Sequence, residues 1–251
     1  FADLSAMAEG GVCVYNADDE KTRSSIEGSR AHLVSFGIRC DADYTAKNID
    51  YREGHAHFDI FTHGELATHI DLTVAGEHNI YNALAAFAVA DICALDRTAV
   101  GEGIGSFGGC KRRMEYKGKV SSAALYEDYA HHPTELRASI NSARDFSHKR
   151  VLAVFQPHTY SRTAELYDGF VSALSLADEV VMAEIYSARE TNTYGVSSEQ
   201  LARDIGDKAR YIDSFEGICE YVRKSADEDT IVLIMGAGDV SKVSDMLIRC
   251  D

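Results

Sequence analysis

An α/β protein of two domains, the second built on a mostly parallel sheet, is the fold this sequence predicts. Three observations carry it. Short β-branched and aromatic runs open the chain, one alanine-rich helical stretch follows near residue 80, and from about residue 110 apolar runs alternate with amphipathic segments. A length of 251 residues holds one large domain or two ordinary ones, and 45% apolar residues suffice for a buried core.

In the first part, GVCVYN, AHLVSF, ADYTAKNIDY and HAHFDIFTH carry β-branched and aromatic side chains and are parted by Asp, Gly and Ser, so they read as strands. After Gly76 the period changes. Ile80, Ala83, Leu84, Phe87 and Ala90 recur at helical spacing through NIYNALAAFAVADICAL, which predicts one long helix. Beyond Cys110 the order is AALYEDYA, a helix from about Pro133, VLAVFQ, a helix through ELYDGFVSALSLA, VVMAEIY, SEQLARDIG, ARYID, FEGICEYVRKS, TIVLIMG and SKVSDMLIR. Strands alternating with helices predict a parallel sheet covered on both faces, a Rossmann-like domain whose ligands gather at the carboxyl ends of its strands. The stretch Ser106 to Gly118, glycine-rich and then basic, is the expected boundary, giving domains 1–110 and 111–251.

Composition narrows the functional classes. No run approaches the roughly 20 apolar residues of a spanning helix, and FADLSAMAEGG lacks the charged start and apolar run of a signal peptide. Six cysteines (Cys13, Cys40, Cys93, Cys110, Cys219, Cys250) form no C-x-x-C pair and read as free thiols of a reducing cytoplasm. A formal charge of −15, with Lys111-Arg112-Arg113 as the only basic cluster, argues against nucleic acid as a partner. Nothing in the sequence specifies an oligomeric state.

The two prolines, Pro133 and Pro157, each follow a predicted strand where polar side chains cluster. Proline fixes φ and suits a first helical turn, so these loops are stiffened where a sheet presents its ligands. Asp128-Tyr129-Ala130-His131-His132-Pro133 reads either as a turn whose polar residues cap a helix or as a reactive cluster. His158 and Arg162, four apart and expected on one helical face, are surface decoration or an anion site. His78, Asn79 and Asn82 open the long helix beside an alanine-rich face that would admit a flat ring, with capping by Asn79 as the alternative. Arg112 and Arg113, if on a strand, point to opposite faces, so one is aimed at a site and the other is solvated. Gly236-Ala-Gly-Asp239 suits close backbone approach or a plain turn. His55, His57, His63 and His69 lie in strand-like sequence without acidic or cysteine companions and are read as structural rather than as metal ligands.

Taken in order, HNIYNALAA (78–86), FGGCKRRME (107–115), DYAHHPTEL (128–136), FQPHTYSRT (155–163), YSARE (186–190) and MGAGDV (235–240) closely resemble the Mur ligases, over essentially the whole chain. Within that family the set is most similar to members that join L-alanine to UDP-N-acetylmuramate. The resemblance implies the C-terminal part of a central ATP-binding domain at 1–110 and a Rossmann-like C-terminal ligase domain at 111–251. It also implies ATP and Mg2+ as cofactors of a full-length parent, UDP-N-acetylmuramate and L-alanine as substrates, and an acyl phosphate intermediate in peptidoglycan precursor synthesis.

Position by position, the resemblance implies that His78, Asn79 and Asn82 contact adenine, that Asp128 meets the ribose, and that Arg113 is directed at the transferring phosphate. Tyr129, His131, His158 and Arg162 match positions around the muramoyl substrate and the incoming amino acid. Arg113 and His131 are the two carried over as catalytic. Thr159 stands where other members place an arginine, and no role is transferred to it. No G-x-x-x-x-G-K-[ST] occurs. The resemblance places the P-loop lysine and the Mg2+-binding glutamate and histidine before Phe1, so no metal ligand is assigned and the chain alone is expected to lack ligase activity. A ligase recycling murein peptides shares D-(F/Y)-A-H-H-P but departs from F-Q-P-H-x-Y-S-R, which is intact at 155–162. A nucleotide-binding module without catalysis is a second alternative, and a dinucleotide-dependent oxidoreductase lacks its G-x-G-x-x-G fingerprint.

Overall fold

The computed structural model describes residues 11–52, 54–146 and 150–249 and divides into two compact units, Phe1–Gly108 and Gly109–Asp251. The N-terminal decapeptide considered as a signal and the thiol of Cys250 lie outside the described residues. Among the described residues the other five cysteines are free thiols, and no helix is long and apolar enough to cross a membrane.

The first unit is a five-stranded sheet in the order β1 (Val12–Asn16), β2 (His32–Gly37), β3 (Tyr44–Arg52), β4 (His55–Thr62), β5 (Glu65–Ala75). The first three strands are mutually parallel and the last three antiparallel. Strict alternation along β4 buries Ala56, Phe58 and Ile60 against Ile80, Leu84 and Phe87 of the long helix α2 (Glu77–Ile92). Two further helices, α1 (Glu20–Ile26) and α3 (Arg97–Gly105), and strand β5 go beyond the elements read from sequence. Helix α1 contains one buried residue, Ile26, and starts because Asp19 accepts from Lys21 N and Thr22 N. Thr68, His69, Asp71 and Thr73 dilute the apolar pattern of β5, whose inward residues are Ile70 and Leu72. His63 is not a strand residue. With Gly64 it forms the two-residue turn between β4 and β5, both at positive φ.

The second unit is a six-stranded sheet in the order β10-β9-β8-β11-β7-β6. Its elements are β6 (Glu115–Val120), β7 (Ala123–Asp128), α4 (Pro133–Arg144), β8 (Arg150–Phe155), α5 (Tyr160–Glu165), α6 (Tyr167–Leu174), β9 (Glu179–Met182), α7 (Ser198–Ile205), β10 (Ala209–Tyr211), α8 (Phe215–Ser225), β11 (Thr230–Met235) and α9 (Ser241–Ile248). All pairings are parallel except β6 with β7. Strand β11 is buried throughout, and residues of β8 alternate between two cores: Val151, Ala153 and Phe155 in one, Leu152 and Val154 in the other. Helices therefore cover both faces, as the alternating pattern requires.

Three details depart from the sequence reading. The helix through ELYDGFVSALSLA is two helices, parted at Leu166. Strand β9 ends at Met182 within VVMAEIY, and beyond it the run pairs again only at Tyr186, in an isolated bridge. The edge strand β6 was hidden by its charged residues and by a bulge at Lys117. The arrangement brings the carboxyl ends of β7, β11 and β8 side by side, ending at Asp128, Met235 and Phe155.

Candidate active site

The three adjacent strand ends carry a densely bonded set of loops. Asp128 is 5% exposed, and each carboxylate oxygen accepts a backbone N–H: Oδ2 from Met114 at 2.9 Å and Oδ1 from Ala130 at 2.7 Å. Its carbonyl accepts from Gly236 N at 3.2 Å, tying the ends of β7 and β11 together.

The alternatives at Asp128–Pro133 divide between neighbouring residues. His132 is the N-cap of α4, its side chain accepting from Thr134 N at 3.3 Å, with Pro133 in the first helical turn. Glu135 completes the capping box by accepting from His132 N at 3.2 Å and also from His131 N at 3.0 Å. Burial alone would raise the Glu135 pKa, but these N–H groups and the nearby His131 and Arg113 charges hold it below its ordinary value. The His131 ring lies beside the cap, its Nδ1 3.4 Å from Glu135 Oε2. That nitrogen lies 3.0 Å from the Tyr129 carbonyl, which can only accept, so Nδ1 carries hydrogen, and in the ring's neutral form the lone pair is at Nε2.

His131 stands edge-on to Tyr129, with centroids 5.3 Å apart, and edge-on to His158 at 6.4 Å. His158 does not share a helical face with Arg162. It precedes α5, paired with Tyr186 in an isolated parallel bridge, and Thr159 at φ +66° turns the chain before the helix starts. The His158 pKa is pushed down by burial first, then by Arg162 and His131, with Glu190 opposing. Glu190 also fastens the start of α5, accepting from Ser161 N at 2.9 Å and from its hydroxyl at 2.6 Å.

Arg112 and Arg113 sit in a turn, not on a strand, and the two diverge in role. Arg112, at φ +57°, donates from Nη2 to Gly236 O at 2.7 Å, places Nε 2.8 Å from Glu127 Oε1, and lies over the Tyr129 ring at 4.7 Å. Its own N–H goes to Glu115 Oε2 at 2.7 Å, the first cause of the lowered Glu115 pKa, and its carbonyl accepts from Tyr129 N at 2.7 Å. Arg113 is the outward cation, 56% exposed, with Glu135 at 3.9 Å. Gly236 and Gly238 are packing requirements: a Cβ on Gly238 would stand 2.5 Å from Gln156 Oε1 and 2.8 Å from Tyr186 Cβ.

In the first unit, His78, Asn79 and Asn82 open α2, but Asn79 does not cap it. The N-cap is Gly76 without a side-chain bond, while Asn79 donates from Nδ2 to Ala75 O at 2.7 Å and accepts from Asn82 Nδ2 at 3.0 Å. Asn82 and Ala86 are exposed and Asn79 half-buried along one stripe, whereas Ala83 and Ala88 turn into the core, so the face open to a flat ring is narrower than the alanine count suggested. The strand histidines do have acidic companions, contrary to the sequence reading. Antiparallel register sets His57 opposite Asp71 and His69 opposite Asp59, giving contacts of 2.5 and 2.7 Å, with His69 Nε2 also 3.1 Å from Asp71. Among the described residues, no group of three or more His, Cys, Asp or Glu is placed to hold a metal ion.

Of the residues singled out in advance, six are in the second unit: Asp128 ends β7, Tyr129, His131 and His158 lie in the loops after β7 and β8, Arg162 is on α5 and Arg113 is in the turn before β6. His78, Asn79 and Asn82 are on α2 of the first unit. Glu127, Gln156, Tyr186 and Glu190 were given no role from sequence. The signal for Tyr186 and Glu190 was their place at and just after the end of the strand run VVMAEIY, within YSARE.

Comparison with known proteins agrees with this architecture. The family models described as Mur ligase middle domain and as Mur ligase, glutamate ligase domain match residues 4–90 and 112–238. The UDP-N-acetylmuramate–L-alanine ligase of Caldicellulosiruptor saccharolyticus is 41% identical over 249 residues, covering 96% of this chain and 54% of the relative. That of Clostridium acetobutylicum is also 41% identical, covering 98% and 54%. The crystal structure of the UDP-N-acetylmuramate-alanine ligase of Thermotoga maritima superposes with a TM-score of 0.76 at 26% identity, over 94% of this chain and 50% of that one. The chain thus spans about half the length of the curated relatives it matches. With the second unit matched almost throughout by one family model and most of the first by another, the chain belongs to the Mur ligase family.

Proposed function

We propose that the chain is the rear portion of an ATP-dependent ligase that joins L-alanine to the carboxylate of UDP-N-acetylmuramate through an acyl phosphate, in peptidoglycan precursor synthesis in the cytoplasm. The observation that carries this reading is the convergence of Tyr129, His131 and His158 with Arg162 beside the ends of β7 and β8. Hydrogen-bond donors and a guanidinium suit a carboxylate, and an imidazole lone pair suits the proton that an attacking ammonium must lose. A carboxylate oxygen leaves readily only once phosphorylated, which gives ATP its place in the reaction. The names of the curated relatives support L-alanine as the amino acid.

In this reading 1–110 is the C-terminal part of the ATP-binding domain, and 111–251 the ligase domain. Arg113, exposed at the apex of its turn, faces the spread negative charge of the transferring phosphoryl group. Asn79, Asn82 and His78 contact adenine, and the carboxylate of Asp128 meets the ribose hydroxyls. His158 and Arg162 hold the carboxylate of the amino acid, Tyr129 lines the muramoyl side, and His131 Nε2 takes the ammonium proton before attack. Among the described residues no group of three or more His, Cys, Asp or Glu is placed to hold Mg2+, and no step is assigned to that ion.

Two assays test the reading. The 251-residue chain mixed with ATP, UDP-N-acetylmuramate and L-alanine is expected to release negligible phosphate, and sustained release overturns the assignment of the P-loop to preceding sequence. The full-length parent is expected to incorporate free L-alanine. Incorporation of intact tripeptide alone would instead make it a murein-peptide recycling ligase.

A further inference from the structure

The segment leaving β9 forms a wall of the site to which the reading above gives no part. Tyr186 is joined to the His158 strand end on both sides of the bridge: its N–H donates to Pro157 O at 2.9 Å, and its carbonyl accepts from Thr159 N at 3.0 Å. The two rings stack, with centroids 5.3 Å apart and planes at 21°. Behind Tyr186 lies Gly238, where a Cβ would come within 2.8 Å of Tyr186 Cβ and Cγ, so the phenol ring is wedged between a glycine and an imidazole. Gln156 locks that glycine turn, accepting from Val240 N at 3.0 Å and donating to Glu184 O at 3.2 Å. His158 Nδ1 is buried and meets no hydrogen-bond partner.

We propose that Tyr186 is a positioning residue that fixes the His158 ring in one orientation and one tautomer, with hydrogen on Nε2, so that His158 serves as a neutral hydrogen-bond donor to an anionic oxygen of the substrate. The reasoning is about where the single ring hydrogen goes. An N–H buried without an acceptor forfeits a full hydrogen bond, while a buried bare nitrogen forfeits less, so the hydrogen resides on Nε2. A proton on both nitrogens is opposed by burial and by the neighbouring Arg162 and His131, with Glu190 as the counteracting charge. His131 is the complement, because its Nδ1 carries hydrogen against the Tyr129 carbonyl, which leaves Nε2 as the accepting nitrogen of its neutral form. One histidine of the pair donates and the other accepts. This rests on the ligase reading only for the identity of the oxygen that the donor meets.

The test needs no catalysis and uses the 251-residue chain labelled with 15N-histidine, with His158→Gln to assign the ring signals. Long-range 1H–15N correlation spectra are expected to show His158 Nδ1 as unprotonated and Nε2 as protonated at neutral pH, with a titration midpoint below that of an ordinary imidazole. Tyr186→Phe keeps the stack and is expected to preserve both features. Tyr186→Leu opens Nδ1 to water and is expected to mix the tautomers and move the midpoint upward. Gly238→Ala, which pushes Tyr186 from behind, is expected to do the same, and it serves as the reporter should the leucine variant not fold. Hydrogen on Nδ1 in the unaltered protein, or an unchanged tautomer and midpoint in a folded leucine or alanine variant, overturns the proposal. Because no turnover is measured, either result leaves the ligase assignment to its own assays.

Discussion

Replacing Arg112 with methionine probes how the turn before β6 is built. Arg112 makes three contacts: Nε 2.8 Å from Glu127 Oε1, Nη2 donating to Gly236 O at 2.7 Å, and the guanidinium 4.7 Å above the Tyr129 ring. Glu127 is only 3% exposed, and its remaining cation, Lys117, stands 3.7 Å away. Removing one partner of a buried pair costs about 3–5 kcal/mol because the other charge is left uncompensated. Since Arg112 is itself 27% exposed and Lys117 stays, the lower end applies, about 3 kcal/mol. For a unit of this size that is a fall in Tm of roughly 10 °C. The assay is urea and thermal unfolding followed by near-ultraviolet circular dichroism, on Arg112→Met, Glu127→Gln and the double variant. The double variant is expected to recover at least half of the summed losses, because replacing both partners removes the stranded charge. Losses below about 1 kcal/mol for Arg112→Met, or strict additivity across the cycle, would refute the reasoning.

Glu135→Ala removes the acceptor for two backbone N–H groups at the start of α4 and is expected to lower stability by about 1–2 kcal/mol in urea unfolding. Gly236→Ala places a Cβ 2.9 Å from Gln156 O at a backbone φ of +145°, and is expected to cost more than about 2 kcal/mol by the same measurement. The His69 pKa is raised, chiefly by its bond to Asp59, so its contribution to stability is complete below the ordinary imidazole pKa and is lost as pH rises through the folded value. Asp59 and Asp71 are shifted down, Asp59 chiefly by Asn48 and Asp71 by His57, and their contribution is present above the ordinary carboxyl pKa and lost on acidification through the folded values. His69→Gln is expected to flatten the urea midpoint against pH from neutral upward; an unchanged profile would show that this exposed ladder contributes nothing.

Periodicity made the second sheet legible because its inner strands are buried on both faces and its helices are amphipathic, so burial and sequence carry the same signal there. The first unit was less legible where a single bond substitutes for a pattern. Helix α1 depends on the Asp19 cap, and β5 has Ile70 and Leu72 separated by Asp71. At the site, the motifs named the right loops but not the division of labour within them. His131 and His132 are adjacent and identical in sequence, yet one caps α4 and the other turns toward His158. No local rule separates them, since the choice is made by Glu135 three and four residues on and by the carbonyl of Tyr129. The acidic partners of His57 and His69 were invisible for a similar reason, because cross-strand register, not sequence neighbourhood, brings them together.

The turn bearing Arg113 shows why the neighbouring charges belong to its function in the proposed reading. Arg112 at φ +57° and Met114 at φ +44° flank Arg113, two side-chain-bearing residues in the left-handed region within three positions. Each such conformation costs on the order of 1 kcal/mol, which a surface turn without further bonds would relax. Here Glu115 accepts from Arg112 N, Asp128 accepts from Met114 N, and Arg112 O accepts from Tyr129 N, so three bonds hold the backbone on both sides of Arg113. The backbone is held while the Arg113 side chain stays outward. Asp128 thus steadies the turn bearing Arg113 through Oδ2, beside the ribose contact proposed for its carboxylate. In the proposed reading, substituting Asp128 is therefore expected to disturb the presentation of Arg113 as well as nucleotide contact, seen in the full-length parent as a fall in kcat together with a rise in the KM for ATP.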